Sequence, residues 1–157
     1  LHPLLKKRIN MLIYILISLG ILALDIYTKY LAKTVFILKD TELIPDVLYF
    51  TYVENRGAAF GIMQNRQWFF IAVTLLIILA MLFYIIKYKP QNKLIKLSLF
   101  FIMSGGIGNL IDRIRLGYVV DFIDVRIINY PVFNVADCFV VIGAILLCGA
   151  ILFSKEQ

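Results

Sequence analysis

Histidine is almost missing from this chain: the only one is His2, beside the terminus. Histidine-dependent serine or cysteine hydrolysis and HExxH zinc chemistry therefore have no residue to work with, and aspartates alone lack the nitrogen or sulfur ligands that zinc usually takes. No metal and no cofactor are expected. Cysteine is scarce too. Cys138 and Cys148 lie ten residues apart in one apolar segment, cannot bridge on a single helix, and read as small buried apolar side chains. Charged residues make up only 17% of the chain, where soluble domains carry about 25%. No polar stretch is long enough for a second domain, and no repeat or low-complexity linker is visible. Residues 1–157 are thus expected to form a single membrane-embedded domain.

Apolar residues are abundant instead, at 62% of 157 residues with a mean hydropathy of +0.89. A bilayer-crossing helix needs roughly 20 mostly apolar residues, and four segments qualify: residues 9–30, 67–86, 94–111 and 131–153. The first follows Lys6, Lys7 and Arg8 as a signal peptide would, but it is too long and no small-x-small cleavage site follows. Basic residues set the orientation. Eight of them against one acid crowd the short flanks around Lys6 to Arg8, Lys87 to Lys96 and Lys155, while eight others spread through two longer connections with nine acids. Both termini are therefore expected on the cytoplasmic side. Membrane phospholipids account for the positive net charge, so nucleic acid need not be invoked.

Against this background four aspartates demand a reason, because an acid in hydrocarbon costs several kcal/mol and usually marks a proton path, an ion site or catalysis. Asp25 lies late in the first span, Asp112 at the outer end of the third, and Asp137 roughly 9 Å inside the fourth at about 1.5 Å per residue. Asp121 lies in the connection before that span, at a similar level. Asp124, three residues on, is placed with Asp121 on one face of a helical turn, or paired with Arg126. Arg113 is expected to pair with Asp112. Asn55, Asn109 and Asn134 supply uncharged amide donors. Pro45 to Val53 reads as a short sheet on the membrane surface, turning at Asn55-Arg56-Gly57. Tyr27, Tyr30, Tyr49, Tyr52, Trp68, Tyr118 and Tyr130 read as an interfacial belt, and the Ser104 to Gly108 run as close helix packing.

Two neighbouring carboxyl groups cannot both ionise easily, so the pair shares a proton and supplies an acid and a base together. Such a pair can deprotonate a water for attack on an amide carbonyl and protonate the leaving amine. The residues alone narrow the pair to Asp25, Asp112, Asp121 and Asp137. The alternative is a proton-coupled transporter or channel, which the charge-free second span disfavours.

In order along the chain stand LDIYTK around Asp25, NRGAAFG from Asn55, GNLIDR from Gly108, VVDF around Asp121 and FNVAD ending at Asp137. Five motifs on four spans resemble the bacterial lipoprotein signal peptidase (signal peptidase II) family over nearly the whole chain. Leu1, where an initiator methionine would be expected, and the apolar Ile26 depart from its pattern. The resemblance implies an aspartyl endopeptidase of the cytoplasmic membrane that cuts prolipoproteins before the diacylglyceryl-modified cysteine, with Asp121 and Asp137 as the dyad. It gives Asp25, Asn55, Gly57, Asn109, Asp112, Arg113 and Asn134 supporting or substrate-binding roles. It also implies an all-α membrane fold of four helices, with a small extracytoplasmic sheet from the first outer loop and a short helix before the last span near Asp121. A monomer is expected, with residues 55–60 closing over the substrate.

Overall fold

The computed structural model describes residues 3–57, 63–128 and 130–153. Among them four helices are long and apolar enough to cross a bilayer: α1 Pro3–Leu31, α2 Gln67–Tyr88, α3 Lys93–Leu116 and α4 Val135–Leu152. Large apolar side chains such as Leu12, Leu16, Leu76, Phe83 and Ile145 stand exposed on their outer faces, an arrangement suited to hydrocarbon and costly in water. Buried residues make up 39% of the apolar window of α3 but 11% to 17% in the other three. The helix with the most glycine and serine is therefore the central one, and its small side chains let the neighbours approach.

Helix ends are set by local chemistry, and they differ from the expected spans. Asn92 caps α3 by accepting from the Leu94 and Ile95 N–H groups, and Gly117, at φ +79°, ends it in the left-handed conformation that glycine adopts without strain. Because the first such residue after Ile111 is Gly117, α3 runs on to Leu116 and carries Asp112 and Arg113 within it. α4 begins at Val135, not Pro131, because Asn134 forms a capping box with Asp137. Asp137 consequently stands in the first turn of α4, not 9 Å inside a longer span.

A three-stranded antiparallel sheet sits at one end of the bundle, in the order β1 (Thr41–Ile44), β2 (Leu48–Asn55), β3 (Val119–Val125). The first two strands come from the α1–α2 connection, as the sequence suggests. The third comes from the α3–α4 connection, where a short helix was expected around Asp121; the helical piece there is one 3₁₀ turn, Arg126–Ile128. Valine and phenylalanine in VVDFIDV favour the strand. Residues three apart on a strand face opposite ways, so Asp121 and Asp124 do not share a face. Val120 and Phe122 point into a core with Ala32, Phe36 and Phe50, with the Phe50 ring 5.0 Å from Phe36 and 5.7 Å from Phe122. Register places Asp121 opposite Val53 and Val119 opposite Asn55. Asp121, 2% exposed, is thereby turned to the other side.

α3 and α4 meet through glycine. A Cβ on Gly105 would collide with the Ala136 carbonyl oxygen and lie 2.7 Å from Val140 Cγ2, and one on Gly143 would lie 2.8 Å from the Ser98 carbonyl oxygen. A Cβ on Gly106, facing α2, would be no nearer than 3.6 Å to its first neighbour. Cys138 is half-buried and Cys148 exposed, both free, so the expected burial fails for Cys148, which faces outward on α4. Gly105→Ala is expected to lower stability in detergent by about 1–3 kcal/mol, since a backbone oxygen cannot step aside. Gly106→Ala is expected to be neutral or slightly stabilising, and thermal unfolding of the two variants side by side checks both.

Candidate active site

The first turn of α4 is held from three directions. Asn134 Oδ1 accepts from the Asp137 N–H at 2.9 Å, and Asp137 Oδ2 accepts from the Asn134 N–H at 3.2 Å. Across the bundle, Asp25 Oδ1 on α1 accepts from the Ala136 N–H at 2.9 Å. The Asp25 carboxylate reaches that far only because residue 108 is glycine: a Cβ there would lie 2.5 Å from Asp25 Oδ2. Asp112 does the same for the sheet, its Oδ2 accepting from the Val120 N–H at 3.1 Å. Asp25 and Asp112 thus hold backbone in place beside Asp137 and Asp121.

Both of these anions are met by Lys29. Its Nζ stands 2.9 Å from Asp25 Oδ2 and 3.0 Å from Asp112 Oδ2, and the residue is 4% exposed. In the sequence Lys29 counts as one of the basic residues of the connections and closes the LDIYTK motif, with no role assigned to it. The signal that would have found it is the i, i+4 spacing from Asp25 on a membrane helix, which puts both on one face. Arg113 does not pair with Asp112 as expected. Its guanidinium lies 5.1 Å over the Phe70 ring, Nη2 reaches the Gly57 carbonyl oxygen at 3.5 Å, and buried Nε has no hydrogen-bond partner among the described residues.

Asp121 and Asp137 are treated differently: the hydrogen bonds that hold them come from amides. Asp121 Oδ1 accepts from Asn134 Nδ2 at 2.7 Å and Oδ2 from Asn55 Nδ2 at 2.9 Å. Asp137 Oδ1 accepts from Asn109 Nδ2 at 2.7 Å. Asn55 is itself oriented, since its Oδ1 takes the Gly57 N–H at 3.0 Å. Burial and, after it, the neighbouring Asp137 charge push the Asp121 carboxyl up to about 7, the behaviour of two acids that share one site.

Both acids line a cavity of about 310 Å³ together with Asn55, Asn109, Arg113 and Tyr130, walled by Phe70, Val140 and Val141. Asp25 and Asp112 do not line it. A second space of about 200 Å³ shares Asn109, Arg113, Asp137 and Val140 and continues between α2, α3 and α4 past Thr74, Ile78, Met81 and Gly106. Of the nine expected site residues, eight therefore gather here or directly behind; Gly57 takes part through its backbone. Ser104 is kept out of the chemistry, its hydroxyl donating to the Phe100 carbonyl oxygen at 2.6 Å. Asp124 pairs with Arg126 at 2.7 Å, one of the alternatives the sequence left open. Tyr27, Tyr30 and Trp68 are exposed as an interfacial belt requires, whereas Tyr52 and Tyr118 join hydroxyls at 3.3 Å. The expected closing segment falls partly on residues 58–60, outside the described residues.

Comparison with known proteins gives this geometry its setting. The family described as Signal peptidase (SPase) II matches residues 17–153. A lipoprotein signal peptidase of Clostridioides difficile is 46% identical over 147 residues, covering 93% of this chain and 99% of that protein. Another from Caldanaerobacter subterraneus is 49% identical over 135 residues, covering 85% and 91%. Two bacterial membrane enzyme structures solved in meso superpose with TM-scores of 0.84 and 0.81. Their identities are 36% and 37%, with coverage of 92% of both chains for the first, and 90% of this chain and 94% of the other for the second. The chain belongs to the signal peptidase II family, proteases of the aspartic type.

Proposed function

We propose that Asp121 and Asp137 share one proton and hydrolyse the peptide bond before a diacylglyceryl-modified cysteine, releasing the signal peptide of a prolipoprotein. One observation carries this reading: of the four buried or half-buried acids at this level, only these two line the cavity and, among the described residues, only these two lack a lysine partner. One carboxylate takes a proton from water as the water attacks the carbonyl carbon. The other, protonated, hydrogen-bonds the carbonyl oxygen and then delivers its proton to the departing amine. Arg113, whose buried Nε is unmatched among the described residues and which lines the cavity, is placed to meet the oxygen on which negative charge develops. Asn55, Asn109 and Asn134 keep the acids apart and aimed.

The substrate follows from the walls. A carboxyl pair at the sheet end of the bundle, continuous with an apolar space between α2, α3 and α4, suits a peptide bond carried near the membrane surface with its acyl chains still in lipid. The chain acts as one membrane-embedded unit, a monomer in the bacterial cytoplasmic membrane, with both termini inside and the sheet outside. The basic flanks support that orientation. Proton transport finds no support, because the acids gather at one end and Gln67 to Ile86 carries no charge.

Asp121→Asn and Asp137→Asn are each expected to reduce cleavage of a lipid-modified precursor peptide by about 10²-fold to 10⁴-fold, read as product by mass spectrometry. The unmodified twin peptide is expected to remain uncut by the native protein. Full cleavage by either variant overturns the assignment.

Stability carries a separate signature of Asp121. Its carboxyl holds a proton in the folded chain up to about pH 7 and releases it near 3.8 when unfolded. Between those values the unfolded state binds fewer protons, so stability contributed by this group falls as pH rises. Thermal unfolding of the native protein compared with Asp121→Asn between pH 4 and 8 is expected to show a steeper fall with rising pH in the former than in the latter.

A further inference from the structure

Lys29 has a third partner, and it is not an acid. Besides Asp25 and Asp112, its Nζ donates to Asn109 Oδ1 at 3.0 Å. An ammonium carries three N–H groups and no acceptor, so Lys29 is saturated and turned away from the cavity, which it does not line. The chemical consequence lies one residue further on. A group that can only donate forces the Asn109 oxygen toward itself, which leaves Asn109 Nδ2 facing Asp137 Oδ1 at 2.7 Å. Asn134 Nδ2 adds a second donor to the same Asn109 oxygen at 3.1 Å and reaches Asp121 Oδ1 at 2.7 Å. A flipped Asn109 would lose all three bonds, setting N–H against N–H on one side and oxygen against oxygen on the other.

On the reading that Asp121 and Asp137 do the chemistry, we infer that Lys29 is a positioning residue for it. Through Asn109 it fixes one oxygen of Asp137 as an acceptor and supplies the buried positive charge that lets two neighbouring acids work with one proton between them. A charged donor polarises the amide it touches and strengthens that amide's own donation. The charged groups around this network are Asp25 on α1, Asp112 and Arg113 on α3, Asp121 on β3 and Asp137 on α4. Four acids meet two cations, and Lys29 alone bonds to the acids directly. Taking its charge away makes every remaining negative charge harder to hold, so proton loss from the pair needs higher pH.

Lys29→Met alone strands Asp25 and Asp112 without a cation and can fail to fold for that reason. The decisive variant is Lys29→Met combined with Asp25→Asn. The new amide oxygen still accepts from the Ala136 N–H, and the loss of one charge of each sign is balanced. This double variant is expected to unfold near the native temperature and to keep KM within about threefold. Its kcat is expected to fall by about 10-fold to 100-fold, as for a misplaced reacting group, with the pH–activity profile close to the native one because one charge of each sign is lost. Asn109→Ala, which leaves Lys29 paired to both acids but removes the link and the amide donor on Asp137, is expected to show the kcat loss with the profile moved to higher pH. Native kcat in either variant overturns the inference and leaves Lys29 a structural counter-ion. Measured beside them, Asp121→Asn and Asp137→Asn separate the two ideas: if those cleave normally, the assignment of the pair itself is wrong.

Discussion

A carboxylate can stay in a poorly solvated site only if fixed donors replace the water it has lost, and the sheet end of this bundle is organised around meeting that demand for four acids at once. Asp25 and Asp112 are met by one ammonium and by backbone N–H groups. Asp121 and Asp137 are met by side-chain amides and, for Asp137, by the backbone N–H of Asn134. The difference is chemical. A cation ties up an acid's oxygens in an ion pair, whereas an amide holds the acid in place and leaves it free for proton transfer. Two acids serve as structural pins and two remain available for proton transfer.

The same donors tie the fold together, which is why site and architecture cannot be discussed apart. Asp25 fastens α1 to the start of α4, Asp112 fastens α3 to β3, and Asn134 both caps α4 and reaches across to β3. The buried ion pairs add little stability by the usual reckoning, because desolvation offsets attraction. What they add here is position: two backbone segments that bear the cavity acids are held from outside the cavity.

How much of this could be read from the residues depends on the range of the signal. Four spans follow from apolar runs longer than a bilayer is thick, and intramembrane acids announce themselves by their cost. Asn134 and Gly117, which decide where α4 starts and α3 ends, act through local capping geometry that a hydropathy window averages away. The β3 strand was hidden because VVDFIDV is stabilised by pairing with Leu48–Asn55, some seventy residues distant. Arg113 was assigned to its neighbour Asp112 on sequence proximity, yet consecutive residues on a helix point about 100° apart. The four candidate acids could be separated only when their partners were known, and the chief partner, Lys29, lies more than eighty residues from Asp112 and Asp137.

The two faces of α3 explain why the cavity opens where it does. Gly105 seals against the backbone of α4 with no space for a methyl group, whereas its neighbour Gly106 looks across ordinary van der Waals distances, 3.6 to 3.8 Å, at Thr74 and Ile78 of α2. The rigid contact belongs to the helices that carry Asn109, Arg113 and Asp137, whose oxygens and nitrogens must be fixed to within fractions of an ångström for proton transfer. The looser contact belongs to α2, which carries no charge from Gln67 to Ile86 and meets α3 through apolar side chains and through the Phe70 ring under Arg113. Such a wall can shift to admit an apolar chain without breaking a single hydrogen bond around the acids, so adaptability and precision are assigned to different helices of one small bundle.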